Sequence, residues 1–247
     1  MIPKTIHYCW LSGDPYPELI EKCITSWKIH LTDYQYVLWD REKAESINSK
    51  WLTQTIAAKK YAFAADFIRI YALSAFGGVY LDADVELVAS LDPFLEHDFF
   101  IGFEYNNDLE PAVFGAVTGH ELLTHLLGYY QNRSFIKSDG KQDIRPLPTI
   151  FNEIAALQFG VKANGKMQLI NDENIAIYPC DYFSPKNIYF KQIYKTSNTV
   201  AIHHFDGSWV KKDAKFVLKQ AFHQMIYKIG GKLFHTQIIQ IIRRICS

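Results

Sequence analysis

The sequence predicts an α/β domain with a nucleotide-binding style of topology, and three observations carry that prediction. A strand–helix–strand pattern occupies residues 4–39. A strongly apolar helix over Tyr61–Phe76 stops at Gly77-Gly78. Behind that glycine pair, a short apolar strand delivers two acidic residues at its carboxyl end.

The elements follow in order. Lys4–Trp10 alternates β-branched and aromatic residues and reads as a strand that ends in the turn Ser12-Gly13-Asp14-Pro15. Pro17–His30 sets Leu19, Ile20, Cys23, Ile24 and Trp27 at helical spacing, and Tyr34–Trp39 (YQYVLW) is the second strand of a βαβ unit. Tyr61–Phe76 is helical, with Gly77-Gly78 as its C-terminal stop. Val79–Asp82 is a short buried strand, followed at once by Ala83-Asp84. Phe99–Phe103 and Ala112–Val117 are further strands. Between them, Glu104–Pro111 is acidic, amide-rich and turn-like, and Glu104, Asn106, Asn107 and Asp108 read as a solvated loop ahead of the alternative, the lining of an acceptor pocket. His120–Gln131 and Thr149–Phe159 are helical, MQLI and IAIYP are short strands, and Thr199–His203 is another strand. Beyond Trp209 come two amphipathic helices, roughly Ala214–Ile229 and Lys232–Ile245, meeting at Gly230-Gly231. The chain thus divides into an α/β domain over 1–210 and a helical segment over 211–247.

Composition narrows the function classes. Apolar residues make up 49% of the 247 and charged residues 21%, enough to bury a sizeable core. The 26 basic residues balance the 26 acidic ones, which argues against a nucleic-acid-binding protein. The balance conceals an asymmetry, because residues 211–247 carry +7 and the rest −7. No apolar run reaches the ~18–20 residues of a bilayer span. Cys9, Cys23, Cys180 and Cys246 form no CxxC pair and read as reduced thiols. The opening MIPKTIHYCW has no secretory pattern, so a cytoplasmic protein is expected.

Chemistry concentrates around Asp82-Ala83-Asp84. Carboxylates at i and i+2 leave a strand end on one side, where both can reach one divalent cation. The carboxyl end of a central α/β strand is also where ligands bind. Asp66 and Arg69, at i and i+3, share one face of the preceding apolar helix. A charge pair there is either a structural ion pair or points into a polar cavity.

These residues resemble a known family. Ala65-Asp66-x-x-Arg69 followed by Gly77-Gly78-x-Tyr80-x-Asp82-x-Asp84 is similar to the DXD-containing sugar-binding region of glycosyltransferase family 32. That family includes bacterial capsular-polysaccharide transferases and yeast initiating mannosyltransferases, and its spacing resembles the catalytic domains of the large clostridial glucosylating toxins. Ile2-Pro3-Lys4-x-Ile6-His7-x-x-Trp10-x-x-Gly13 resembles its opening strand and loop, and Ala201-Ile202-His203-His204-x-x-x-Ser208-Trp209 its closing motif. Together the blocks reach across residues 2–209.

The resemblance implies a GT-A (Rossmann-like nucleotide-diphospho-sugar transferase) fold and retaining transfer of a hexose from a nucleotide diphosphate sugar, UDP being favoured over GDP. By the same resemblance, Trp10 stacks on the nucleobase, held by the backbone near Ile6–Trp10, so that Ile6 and His7 count among the donor-binding residues. Asp66 and Arg69 bind donor-sugar hydroxyls, with Asp82 near the ribose and sugar. Asp84, with Asp82 directly or through water, ligates the metal, and His203 or His204 completes the set. Ser208 and Trp209 grip the leaving diphosphate. The acceptor is a glycan or lipid-linked glycan, as in capsule synthesis. An Asp, Asp, His set leans toward Mn²⁺ over Mg²⁺. His203 and His204 point to opposite faces of a strand, so at most one is a ligand. Ala65 stands where the family commonly has serine, and the middle Thr-Gly-Pro-like element is reduced to Leu147-Pro148-Thr149.

The basic helical segment gains meaning here. Leu233, Phe234, Ile238, Ile239, Ile241, Ile242 and Ile245 form an apolar stripe, so residues 232–247 are expected to contact an anionic membrane surface. Two rival readings stand beside the transferase. One is a non-catalytic sugar-nucleotide or glycan binder on the same fold. The other is a haloacid-dehalogenase-type phosphohydrolase, which also places Asp-x-Asp after a strand but leaves Asp66 and Arg69 unexplained.

Overall fold

The computed structural model describes residues 1–170, 174–188, 190–207, 221–231, 234 and 237–238. A seven-stranded mixed sheet organises them. In chain order, β1 (Thr5–Cys9) leads through α1 (Glu18–His30) to β2 (Gln35–Trp39), and β1 and β2 pair in parallel from Thr5 opposite Gln35 to Cys9 opposite Trp39. Two short helices, α2 (Arg41–Glu45) and α3 (Lys50–Ala57), precede α4 (Tyr61–Phe76). β3 (Gly78–Leu81) follows, parallel to β1. Next come β4 (Val85–Leu87), β5 (Phe99–Phe103), β6 (Leu109–Ala116), α5 (Glu121–Tyr130) and α6 (Leu147–Phe159). The last are β7 (Gln168–Ile170), β8 (Ile175–Tyr178), α7 (Cys180–Phe183) and β9 (Ala201–His203). The sheet order is β2-β1-β3-β6-β5-β8-β7, and β4 and β9 form a separate two-stranded ribbon.

Alternation along the strands builds two cores. Tyr80, Phe99, Ile101 and Phe103 face one side with α3, α4, α5 and α6. Val79, Leu81 and Phe100 face the other with Trp27 of α1 and Phe183 of α7. A sheet buried on both faces needs near-continuous apolar strands, and β3, β5 and β6 are buried along their whole lengths.

The α4–β3 corner aims the acidic pair. Gly77 ends α4 at φ 65° and Gly78 follows at φ 104°. A Cβ on Gly78 would lie 2.5 Å from the Thr5 carbonyl oxygen, so only glycine lets β3 approach β1 here. α1 then anchors the chain beyond the acids. Trp27 Nε1 donates to the Val85 carbonyl at 2.7 Å, and the Leu87 N–H donates to Ser26 Oγ at 2.9 Å.

Four sequence expectations change. β6 starts at Leu109, not Ala112, because a register shift opposite Ile101/Gly102 accommodates Pro111, which has no N–H for a ladder. The segment before it is not solvated: Glu104 and Asn106 are buried, and the Asn106 N–H donates to Glu104 Oε1 at 2.9 Å. The helices α2, α3 and α7 and strand β4 are additions. Residues 221–231 are helical through both Gly230 and Gly231, which were expected to separate two helices. The rest of 211–247 lies largely outside the described residues. Among the described residues, Cys9 and Cys23 are free thiols, and no helix is long and apolar enough to cross a membrane.

Candidate active site

The site assembles where β3 ends. The Asp82 N–H donates to the Ala112 carbonyl at 2.9 Å, continuing the β3–β6 ladder one residue beyond the strand. Asp84 is fixed from the other side, by the Asp206 N–H donating to its Oδ2 at 2.8 Å and the His204 N–H to its carbonyl at 3.0 Å. β4 pairs Val85 with His203 of β9, which carries that histidine back to the acids. Asp82, Asp84 and His203 each offer one ligand atom, all within 4.8 Å of one another. Two carboxylates and an imidazole are donors suited to a divalent cation.

Behind this cluster lies a second one. Arg69 Nη2 lies 3.0 Å from Asp82 Oδ1 and 3.4 Å from Asp66 Oδ1. Its Nη1 donates to the Pro111 carbonyl at 2.7 Å and to Asp82 Oδ2 at 3.2 Å, and its guanidinium lies over the Tyr80 ring. Arg69 is buried, and this set of acceptors is what makes a buried cation tolerable. Burial pushes the Asp66 carboxyl up to about 6, a rise that Arg69 only partly offsets. Burial likewise raises Asp82 against the opposing pull of Arg69 and His203. For Asp84 the balance reverses. Burial would raise it, but the His203 charge and hydrogen bond and the Asp206 N–H hold it well below the usual carboxylate range. His203 is raised well above its ordinary value, because Asp84 and Glu110 outweigh the burial that disfavours its charge.

The structure thus brings Asp66, Arg69, Asp82, Asp84 and His203 into one connected array. It separates the two histidines: His204 Nε2 sits 2.9 Å from Glu86 Oε2, outside the acidic triad. Ile6 and His7 are interior. Ile6 is fully buried, and the His7 ring is used on both sides, with Trp39 Nε1 donating to Nδ1 at 3.1 Å and Nε2 set 3.0 Å from the Gly77 carbonyl. Burial pushes the His7 pKa down to about 4. The His7 side chain is therefore a fold determinant, while the nucleobase expectation concerned the backbone of this segment. Trp10 is half-buried just past β1, its Nε1 donating to the Asp14 carbonyl at 2.7 Å and its ring edge-on to Tyr16. Ser208 and Trp209 lie outside the described residues.

Two residues beside the site escaped the sequence reading. Glu110 on β6 places Oε2 3.6 Å from His203 Nδ1. It sat in a stretch that looked like a loop, and the following proline concealed the strand. Lys186 donates to the His204 carbonyl and feels the charges of Asp84 and Asp206. Nothing in its local sequence marked it.

Comparison with known proteins bears on this arrangement. Residues 17–101 match the model of the glycosyltransferase sugar-binding region containing the DXD motif. The chain is 27% identical, over 95% of its length, to mannosyl phosphorylinositol ceramide synthase CSH1 of Saccharomyces cerevisiae, covering 60% of that protein. It is 26% identical, over 98% of its length, to inositol phosphoceramide mannosyltransferase 3 of Schizosaccharomyces pombe, covering 65% of it. The chain therefore spans less than two thirds of these relatives, whose names point to a mannosylated sphingolipid where capsular polysaccharide had been expected. Among solved structures, the PaToxG glycosyltransferase superposes with a TM-score of 0.51 at 18% identity, over 64% of this chain and 70% of that one. The chain has the GT-A glycosyltransferase fold, with the acidic pair and its supporting helix inside the matched sugar-binding region.

Proposed function

We propose that the chain is a metal-dependent glycosyltransferase that moves a hexose from a nucleoside diphosphate sugar to a lipid-linked or glycan acceptor. The observation that carries this reading is the meeting of Asp82, Asp84 and His203 at the end of β3, with Asp66 and Arg69 packed behind them. A divalent cation, Mn²⁺ or Mg²⁺, held by those three would neutralise the departing diphosphate. Asp66 faces the site as the acceptor for donor-sugar hydroxyls. Arg69 acts through it, because its guanidinium is already committed to Asp82, Asp66 and the Pro111 carbonyl. The phosphohydrolase alternative needs Asp82 as a free nucleophile, and the Arg69 ion pair supports the other role.

The names of the relatives favour mannose as the sugar and an inositol-phosphate lipid as the acceptor. With such an acceptor, residues 232–247 would serve as the contact with an anionic membrane. Loss of sedimentation with anionic liposomes on truncation at Gly231 is the result that would support it.

The test is a screen of GDP-Man, UDP-Gal, UDP-Glc, UDP-GalNAc and UDP-GlcNAc with Mn²⁺, with and without inositol phosphoceramide, following nucleotide release against an EDTA control. EDTA-sensitive release from one donor supports the reading. Silence with every donor and acceptor, together with no calorimetric binding of UDP or GDP, would overturn it. Asp84→Asn is expected to lower turnover by more than about 100-fold, since even outer-shell partners of a metal are worth about 10–100-fold. It should keep the wild-type far-ultraviolet circular dichroism at a lower melting temperature, because the charge that His203 and the Asp206 N–H favour is gone.

A further inference from the structure

The imidazole of His203 lies between two carboxylates. Its Nε2 is 3.4 Å from Asp84 Oδ1, and its Nδ1 is 3.6 Å from Glu110 Oε2. Nδ1 is fully buried and has no hydrogen-bond partner within bonding distance. A buried ring nitrogen without a partner costs on the order of 1–3 kcal/mol, so its neighbour matters. Glu110 is itself held: Oε1 accepts the Ala112 N–H at 3.2 Å, which leaves Oε2 directed at the histidine. The register shift in β6 puts it there. Glu110, paired with Gly102, stands at the edge of the three-residue excursion over residues 111–113 before pairing with β5 resumes at Phe114, and that excursion presents the Pro111 carbonyl to Arg69.

We propose that Glu110 is a positioning residue that takes the Nδ1–H of His203, fixing the imidazole in the tautomer whose bare Nε2 faces Asp82 and Asp84. The inference rests on the metal-centre reading given above and adds to it the group that orients its histidine. Without Glu110, either nitrogen can carry the proton, and the ring is free to turn about its Cβ–Cγ bond. Ligating histidines are commonly held in this way by an outer carboxylate, and loss of such a partner typically weakens metal binding by about 10–100-fold. Glu110 does not need to touch the cation or the sugar. The tautomer is what it controls.

The experiment measures Mn²⁺ affinity directly, by the EPR signal of free Mn²⁺ in titrations of the intact chain. The set is wild type, Glu110→Gln, Glu110→Ala, His203→Ala and the double variant Glu110→Ala/His203→Ala. Glu110→Ala should weaken Mn²⁺ binding by about 10–100-fold. Glu110→Gln, whose single amide oxygen has to serve either the Ala112 N–H or the Nδ1–H, should recover part of that loss. In the His203→Ala background, removing Glu110 should change Mn²⁺ affinity little, because its effect passes through the ring. With the diamagnetic cation Mg²⁺ bound in place of Mn²⁺, a ¹⁵N spectrum of the imidazoles should show the Nδ1–H tautomer of His203 in the wild type and a mixture in Glu110→Ala. If Glu110→Ala binds Mn²⁺ as the wild type does, or weakens it equally with and without His203, the positioning role is overturned. If the wild type itself fails to bind Mn²⁺, the metal-centre reading falls first, and that outcome is distinct from either of the others.

Discussion

Asp66 shows how a single residue can oppose stability within the acidic cluster. Its pKa is pushed from 3.8 to about 6 by burial, a rise that Arg69 only partly offsets. A carboxyl with a raised native pKa binds its proton more tightly when folded. Its favourable contribution is therefore present below about 3.8 and is lost as pH rises through about 6. At neutral pH the ionised Asp66 is a liability on the order of 2–3 kcal/mol by that shift. Asp66→Asn keeps an oxygen for the Leu147 N–H at the start of α6 and removes the charge. The substitution should raise stability in urea by about 1–3 kcal/mol at pH 7.5, less at pH 5, while lowering transferase turnover. A loss of stability at pH 7.5 would show that the attraction to Arg69 outweighs burial. Glu110 belongs to the same logic at the other side of the cluster, a carboxylate whose use is in what it aims.

At the scale of elements, the α4–β3 corner determines where those carboxylates stand. Gly78 has φ 104°, and an added Cβ would meet the Thr5 carbonyl at 2.5 Å and the His7 ring at 3.4 Å. Gly78→Ala should cost about 2–4 kcal/mol, combining backbone strain with displacement of β1. Gly119→Ala is the matched control. Its φ is 73° and nothing lies within 4 Å of the added Cβ, so it should cost only about 1 kcal/mol. Equal losses in thermal or urea unfolding would show that strain alone, not the close strand approach, governs the corner. This corner was legible in the sequence because its signals are strong: sixteen residues of apolar helix, two glycines, then an apolar strand. What could not be read has physical causes too. α2 is five residues long with one buried side chain, too short for a period to show. β4 is three residues long and reads as the tail of the acidic motif. β6 was shortened because proline argues against a strand interior, yet a bulge accepts it. That error also hid Glu110. The choice between His203 and His204 waited on β4, since only the pairing of Val85 with His203 decides which ring turns toward Asp84.

At the scale of the whole molecule, several elements close around the buried His7 imidazole, and the pH dependence of stability should report it. His7 joins three elements: it sits on β1, accepts from Trp39 at the end of β2, and meets the Gly77 carbonyl between α4 and β3. The partners decide its state. The indole N–H can only donate and the carbonyl can only accept, so the folded ring carries its proton on Nε2 and keeps Nδ1 bare. Burial accordingly lowers its pKa from 6.5 to about 4. The unfolded chain binds this proton at a higher pH than the native one. The His7 contribution is thus complete above about 6.5 and is lost as pH falls toward about 4. Between pH 7.5 and pH 5 that loss is about 2 kcal/mol. Asp66 and His203, with raised pKa values, slope the other way, so the wild-type profile alone does not isolate His7. The difference between wild type and His7→Asn does, because the other groups cancel. Asparagine offers an acceptor to Trp39 and a donor to Gly77 without a titration. His7→Asn is expected to be less stable at pH 7.5, from imperfect packing, and to close the gap by about 2 kcal/mol in urea unfolding at pH 5. A constant difference across that range would mean that His7 takes its proton in the folded protein as readily as in the unfolded one. The closed packing of β1, β2 and the glycine corner would then not be what keeps the ring neutral.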